Sequence, residues 1–163
     1  MKNKNVAFLT QAAIIAAIYV VLGVVFAAIG KGAIQVRLAE SLTILPIFTP
    51  AAIPGLFIGC LLANVLSGCL LPDVIFGSIA TLLGAIGTYK LGRIKPVFGT
   101  LPPILANIII VPLVLRYAYG DPLPIPYMML TIGVGEIISC GVLGMILYTA
   151  LKPMKGRIFG STK

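Results

Sequence analysis

Residues Val6–Ile29 read VAFLTQAAIIAAIYVVLGVVFAAI, an uninterrupted run without a single charge. At 1.5 Å per residue a helix over this run reaches about 36 Å, enough to cross a hydrocarbon layer about 30 Å thick. The basic start, MKNKN, resembles a secretory leader. A leader's apolar core is shorter, roughly 7–15 residues, so the run reads as a retained first span.

The same pattern recurs along the chain. Apolar runs bounded by Pro, Gly and charge predict spans at about 6–29, 37–48, 51–67, 74–91, 97–117 and 127–151. Of the 163 residues, 60% are hydrophobic and 10% charged, and the mean hydropathy is +1.13. Soluble domains carry about a quarter charged residues, so this chain cannot cover its surface with polar groups. The expected fold is therefore an all-α integral membrane protein, a single transmembrane domain over residues 1–163 built as a six-helix bundle.

Charge sets the expected orientation. Twelve Lys and Arg against four acids give a net charge of +8. On alternate sides of the six spans these cations divide nine to three, the nine being Lys2, Lys4, Lys90, Arg93, Lys95, Lys152, Lys155, Arg157 and Lys163. Cations clustered at span ends mark the cytoplasmic side rather than a nucleic-acid face, so both termini are expected inside. The outer loops are then Gly30–Val36, Gly68–Asp73 and Ala118–Pro126.

All four acids, Glu40, Asp73, Asp121 and Glu136, fall on these outer loops or the outer half of a span. An ionisable residue within a membrane is costly and is a functional candidate by default. Glu136 lies about 13 Å below the outer end of the sixth span, with no Lys or Arg within one turn. It is either a structural carboxyl or the floor of an outward-facing cavity for a cationic or amidine-like ligand. Glu40 follows Arg37 by three positions, so the two can pair along one face or Arg37 can orient Glu40 toward a ligand. Asp73, after Pro72, suits a helix N-cap and also the rim of a cavity. Asp121, in Gly120-Asp121-Pro122, reads as a turn residue. Asn64 and Asn107, within apolar spans, must find a helix or ligand partner. Tyr127 at the mouth of the sixth span is an interfacial anchor or a stacking surface.

Small residues recur at four-residue spacing, including Gly55/Gly59 and Gly23/Ala27. Membrane helices approach closely only where side chains are small. Ala12, Ala13, Ala16 and Ala17 clear a flat strip near the cytoplasmic end of the first span, wide enough to receive another protein's helix.

The stretch IQVRLAESLTILPIFTPAAIPGLFIGCLLANVLSG, continued through LLPDVIFGSIATLLGAIGTYKLGR, resembles the queuosine-precursor transporter family. Members of that family are substrate-binding (S) components of energy-coupling factor transporters. The resemblance covers about Ile34 to Arg93; RLAESLTILP and AIPGLFIGCLLAN are its specific segments, and the remainder fits by topology. It implies six helices with both termini inside, in a bacterial cell membrane, and an outer pocket roofed by the three loops named above. It also implies a transmembrane coupling subunit and two ATPase subunits as partners, with the alanine strip similar to the family's docking motif. The implied ligand is a 7-deazaguanine, such as an aminomethyl precursor or queuine. A guanine-like edge presents adjacent N–H donors that suit a carboxylate, and an aminomethyl group is cationic near neutral pH. Glu136 and Glu40 are the expected ligand acids, with Asn64, Asn107, Arg37, Asp73 and Tyr127 around them.

Other classes stay open. An S component for another vitamin-like micronutrient has the same composition. A small autonomous secondary transporter of organic cations would carry internal two-fold repeats, and residues 1–75 and 76–163 show no convincing match. An enzyme is not expected, because the chain has no His for a metal or a nucleophile–base pair. No resident cofactor is expected. No Walker motif is present, so ATP energy would have to come from partner subunits.

Overall fold

In a computed structural model residues 2–27 and 36–159 are described. No strand occurs among them. The first helix, α1, runs Lys2–Val25. A 3-10 helix, Leu38–Ile47, follows, then α2, Ala52–Leu66, and α3, Leu71–Leu91. A short 3-10 turn, Pro96–Thr100, leads into α4, Leu101–Tyr117. The last apolar helix spans Ile125–Ile158 and is irregular inside. It comprises α5, Ile125–Glu136, a π-helical stretch, Ile137–Leu143, α6, Gly144–Leu151, and two short basic turns to Ile158.

Four helices are long and apolar enough to cross a membrane: Lys4–Val25, Leu71–Leu91, Pro96–Tyr117 and Ile125–Ile158. The expected second and third spans are the shorter apolar helices Leu38–Ile47 and Ala52–Leu66. At 2.0 and 1.5 Å per residue they reach only about 20 and 22 Å. Residues 28–35, which include most of the expected loop Gly30–Val36, and residues 160–163 lie outside the described residues.

Lipid-type packing explains the burial pattern. Large apolar side chains face outward, as with Leu9, Leu71, Leu105 and Leu130, while Glu40, Asn64, Asn107 and Glu136 are buried. Helices then approach through small residues. A Cβ on Gly55 would sit 2.7 Å from the Ala12 carbonyl oxygen, and one on Gly59 would sit 2.7 Å from the Tyr19 Cβ. Further along the same seam a Cβ on Gly23 would meet the Ala63 Cβ at 2.9 Å. The α3–α4 pair closes in the same way, with Gly84 against Pro103 and Gly87 against Pro102.

This seam divides the alanine strip. Ala12 and Ala16 are buried against α2, whereas Ala13 and Ala17 on the next face are exposed. One expected cap also differs. The helix α3 begins at Leu71 with Leu70 as its N-cap residue, so Asp73 lies inside the first turn. Its side chain is bonded instead by Tyr119 from the loop after α4. Asp121 is a turn residue as read from sequence, with Oδ1 accepting the Leu123 amide at 3.0 Å.

Candidate functional site

One end of the bundle gathers the C-terminal parts of α1, α2 and α4 with the start of α3 and the entry to the 3-10 helix. A cavity of about 340 Å³ lies between them. Its polar lining comprises Tyr19, Arg37, Asn64, Ser67, Asp73 and Tyr119, with Cys69 beside them. The apolar walls come from residues such as Leu22, Phe26, Val111 and Leu115. This volume falls at the lower end of small-molecule sites, roughly 300–1,000 Å³, and an apolar wall with a few polar groups is their usual make-up. A second groove of about 480 Å³, lined by Pro72, Phe76, Ile110, Leu113, Val114, Tyr117 and Ala118, has no charged lining residue. It suits hydrocarbon rather than a polar ligand.

Arg37 and Glu40 do not bond each other. The Arg37 Nη2 donates to Asn64 Oδ1 at 3.1 Å, and the Arg37 backbone amide donates to Ser139 Oγ at 3.0 Å. Glu40 Oε1 instead accepts the Tyr19 hydroxyl at 2.6 Å. In a 3-10 helix positions three apart eclipse, but Arg37 precedes that helix in an extended conformation. Its side chain is therefore free to turn into the cavity while Glu40 turns inward.

Behind Tyr19 a polar cluster is sealed in the bundle. Ligand-capable atoms of Glu40, Glu136 and Cys140 all lie within 4.8 Å of one another. Cys140 Sγ stands 3.2 Å from Glu136 Oε2 and 3.5 Å from the Glu40 carbonyl oxygen, and its one proton serves either at a time. Thr43 Oγ1 is bonded to the Glu40 carbonyl at 2.6 Å. Among the described residues, two buried atoms lack a partner within hydrogen-bond distance, the acceptor Glu40 Oε2 and the donor Asn107 Nδ2, the latter approaching Glu136. An unpaired buried donor or acceptor costs about 1–3 kcal/mol, and two carboxyls this close call for a cation or a proton between them. The cluster sits where a ten-residue 3-10 helix meets a π-helical stretch. Both are irregular helix forms, and π segments occur frequently at functional sites.

At the rim, Tyr119 donates to Asp73 Oδ2 at 3.0 Å and accepts the Leu70 amide at 3.1 Å. Partial burial, reinforced by Asp73 against the opposing Leu70 amide, pushes the Tyr119 hydroxyl up to about 12. Tyr119 thus remains a hydrogen-bond donor throughout the physiological range.

The fold therefore brings Arg37, Asn64 and Asp73 into the open cavity and Glu40, Glu136 and Asn107 into the closed cluster beside it. Tyr127 is 49% exposed in the first turn of α5 and lines neither. Sequence reasoning passed over Tyr19, Tyr119, Ser139 and Cys140. A tyrosine in the middle of a span carries a hydroxyl that needs a partner, and that signal was available for Tyr19.

The family model described as QueT transporter matches residues 9–153. The chain belongs to the QueT transporter family. As a QueT family member with four apolar helices of membrane length, it is a multi-pass membrane protein of a transport class. The match runs from within α1 through α6 and takes in every residue of the cavity and of the cluster. Among curated proteins and among solved structures, nothing matches the chain.

Proposed function

We propose that this QueT family member is the membrane-embedded substrate-binding component of an ATP-driven energy-coupling factor transporter, and that it takes up a queuosine precursor of the 7-deazaguanine class. The observation that carries this reading is the cavity of about 340 Å³ holding Arg37, Asn64 and Asp73, with the unpartnered Glu40 Oε2 and Asn107 Nδ2 just behind Tyr19. Glu136 stands between the two, close to Glu40 and to Asn107, so acceptors and a donor lie together as a lactam-type edge, with its adjacent N–H and C=O, requires. Glu136 and Glu40 then serve the N–H side of the ring, with Asn107 on the carbonyl. For the ligand to reach them, the Tyr19–Glu40 bond must open.

The test is titration of the detergent-solubilised full chain against 7-deazaguanines, riboflavin, thiamine and biotin. Binding of a deazaguanine alone supports the reading; binding of another micronutrient alone replaces it.

The six-span topology with both termini inside belongs to the same reading, as do the coupling subunit and its two ATPases. Single cysteines placed in 68–70 or 118–124 of a cysteine-free chain are expected to react with an impermeant thiol reagent on intact bacteria. Those placed in 92–96 are not. The opposite labelling would put the cavity on the cytoplasmic side and remove the uptake role.

Docking on the coupling subunit is assigned to the exposed half of the alanine strip. Ala13→Trp or Ala17→Trp is expected to abolish uptake while ligand affinity stays within about twofold of wild type. Ala16→Trp, which strikes the α1–α2 seam, is expected to lose folding as well. Undiminished uptake by Ala13→Trp and Ala17→Trp would place the docking surface elsewhere.

A further inference from the structure

Two basic segments meet at the end of the bundle opposite the cavity. The first, residues 90–98, carries Lys90, Arg93 and Lys95. Gly92 within it packs on the Ile47 side chain, and Thr88 Oγ1 donates to the Gly99 carbonyl oxygen at 2.6 Å, tying down its far side. The second, residues 152–158, carries Lys152, Lys155 and Arg157. It ends an apolar helix of 34 residues, which at about 1.5 Å per residue outruns a hydrocarbon layer about 30 Å thick. This end does not trail free. Phe159 stacks on Phe48 with ring centroids 5.4 Å apart, and Tyr148 stacks on the same ring at 5.3 Å. Gln11 Nε2 also donates to the Phe159 carbonyl oxygen at 3.4 Å. Ile47 and Phe48 are adjacent, so both segments are fastened to one point of the bundle.

All six of these cations are exposed. None has an acid to meet there: Glu40 and Glu136 are buried in the closed cluster, and Asp73 and Asp121 lie at the cavity end. Large apolar side chains stand exposed between the cations, Ile94, Val97 and Phe98 in one segment, Met154 and Ile158 in the other. Water suits the cations alone. A bilayer interface suits both, with the acyl boundary taking the apolar groups and headgroup phosphates taking the cations. We infer that residues 90–98 and 152–158 form one preorganised surface for anionic phospholipid headgroups. This goes beyond the transport reading and does not depend on which ligand is carried. Because both segments are already fastened, lipid binding orders little chain and keeps the charge attraction undiminished. Bound lipid in turn holds the second segment on Phe48, so anionic lipid stabilises the folded bundle.

The experiment places the full chain in nanodiscs of phosphatidylcholine alone or mixed with phosphatidylglycerol, and follows thermal unfolding and the lipids retained in native mass spectrometry. Wild type is expected to melt about 3 °C higher in the mixed discs and to retain phosphatidylglycerol over phosphatidylcholine. The combined variant Arg93→Gln, Lys95→Gln, Lys155→Gln, Arg157→Gln is expected to lose both effects. Its four side chains are exposed, so in phosphatidylcholine it is expected to melt as wild type does. Phe159→Ala keeps every cation but unfastens the second segment, and is expected to lose part of the preference. Arg116→Gln, at the cavity end, is the control and is expected to keep all of it. Inorganic phosphate added to phosphatidylcholine discs is expected to give no stabilisation. No preference in wild type, full preference in the combined variant or in Phe159→Ala, or its loss in Arg116→Gln would overturn the site. The same stabilisation from phosphate alone would overturn the lipid assignment in favour of a free-anion site. Neither result bears on the ligand titration that tests the transport reading.

Discussion

Glu136→Gln is expected to bind a 7-deazaguanine about 2 kcal/mol more weakly than wild type, roughly thirtyfold, and to melt no lower than wild type without ligand. Glu136 is 2% exposed and shares its surroundings with the wholly buried Glu40. Gln keeps the shape and removes a carboxyl whose burial beside Glu40 is costly in the empty protein, so stability is retained or raised. The same change takes a charged acceptor from the ligand's N–H donors, and affinity falls. Glu40→Gln is expected to weaken binding in the same direction and, because its amide oxygen still accepts the Tyr19 hydroxyl, to fold normally. Asp121→Asn is the control, since that side chain serves only the turn to Leu123. Calorimetry and thermal unfolding of the purified variants read both quantities. Unchanged affinity in Glu136→Gln would leave Glu136 as a structural carboxyl and move the edge site elsewhere.

Gly59→Leu is expected to yield no monodisperse folded protein, and Gly59→Ala to cost about 1–3 kcal/mol of stability. A Cβ at Gly59 lies 2.7 Å from the Tyr19 Cβ and 3.0 Å from the Ala16 carbonyl oxygen. Neither atom is the free end of a flexible side chain, so α1 itself must move. Gly55, one turn away, faces the Ala12 carbonyl at 2.7 Å and leaves no room for the helix to pivot. Any shift of α1 carries Tyr19 with it and lengthens the 2.6 Å bond to Glu40. Gly59→Ala is therefore expected to impair ligand binding beyond its effect on stability. Gly156→Ala is the matched control, with nothing within 4 Å of the added methyl. Size-exclusion profiles and melting curves decide the matter. A Gly59→Leu protein melting within about 2 °C of wild type would mean that the α1–α2 seam is looser than described.

The membrane class, the places of the long helices and the gathering of acids toward one end were legible in the sequence, because each depends on local quantities. A run such as Val6–Ile29 has the length and apolarity for a span regardless of its neighbours. Lys and Arg cluster at span ends whatever the packing inside. Asp121 in its turn follows from short-range chemistry as well, and the spacing of Gly55 and Gly59 marked a close approach without naming its partner helix.

Partner choice was not legible. In a soluble bundle the buried stripe is apolar and the exposed one polar, so a single helix reveals which face packs. In this chain the lipid-facing and core-facing sides are both apolar, and that periodic signal is erased. Nothing in AAxxAA distinguishes Ala12 and Ala16, buried on α2, from Ala13 and Ala17, which face outward. Spacing alone pointed Arg37 toward Glu40, three residues on; the tertiary structure gave Arg37 to Asn64 and Glu40 to Tyr19. The start of α3 at Leu71 likewise removed the cap reading of Asp73 and left the rim reading, with Tyr119, 46 residues away, holding the carboxylate. The sequence by itself settled that polar groups within the spans would be scarce and turned toward the bundle interior. Which of them would meet depended on contacts between distant helices, where one seam of small residues sets the rotation of α1 and, through Tyr19, the position of the acid beneath it.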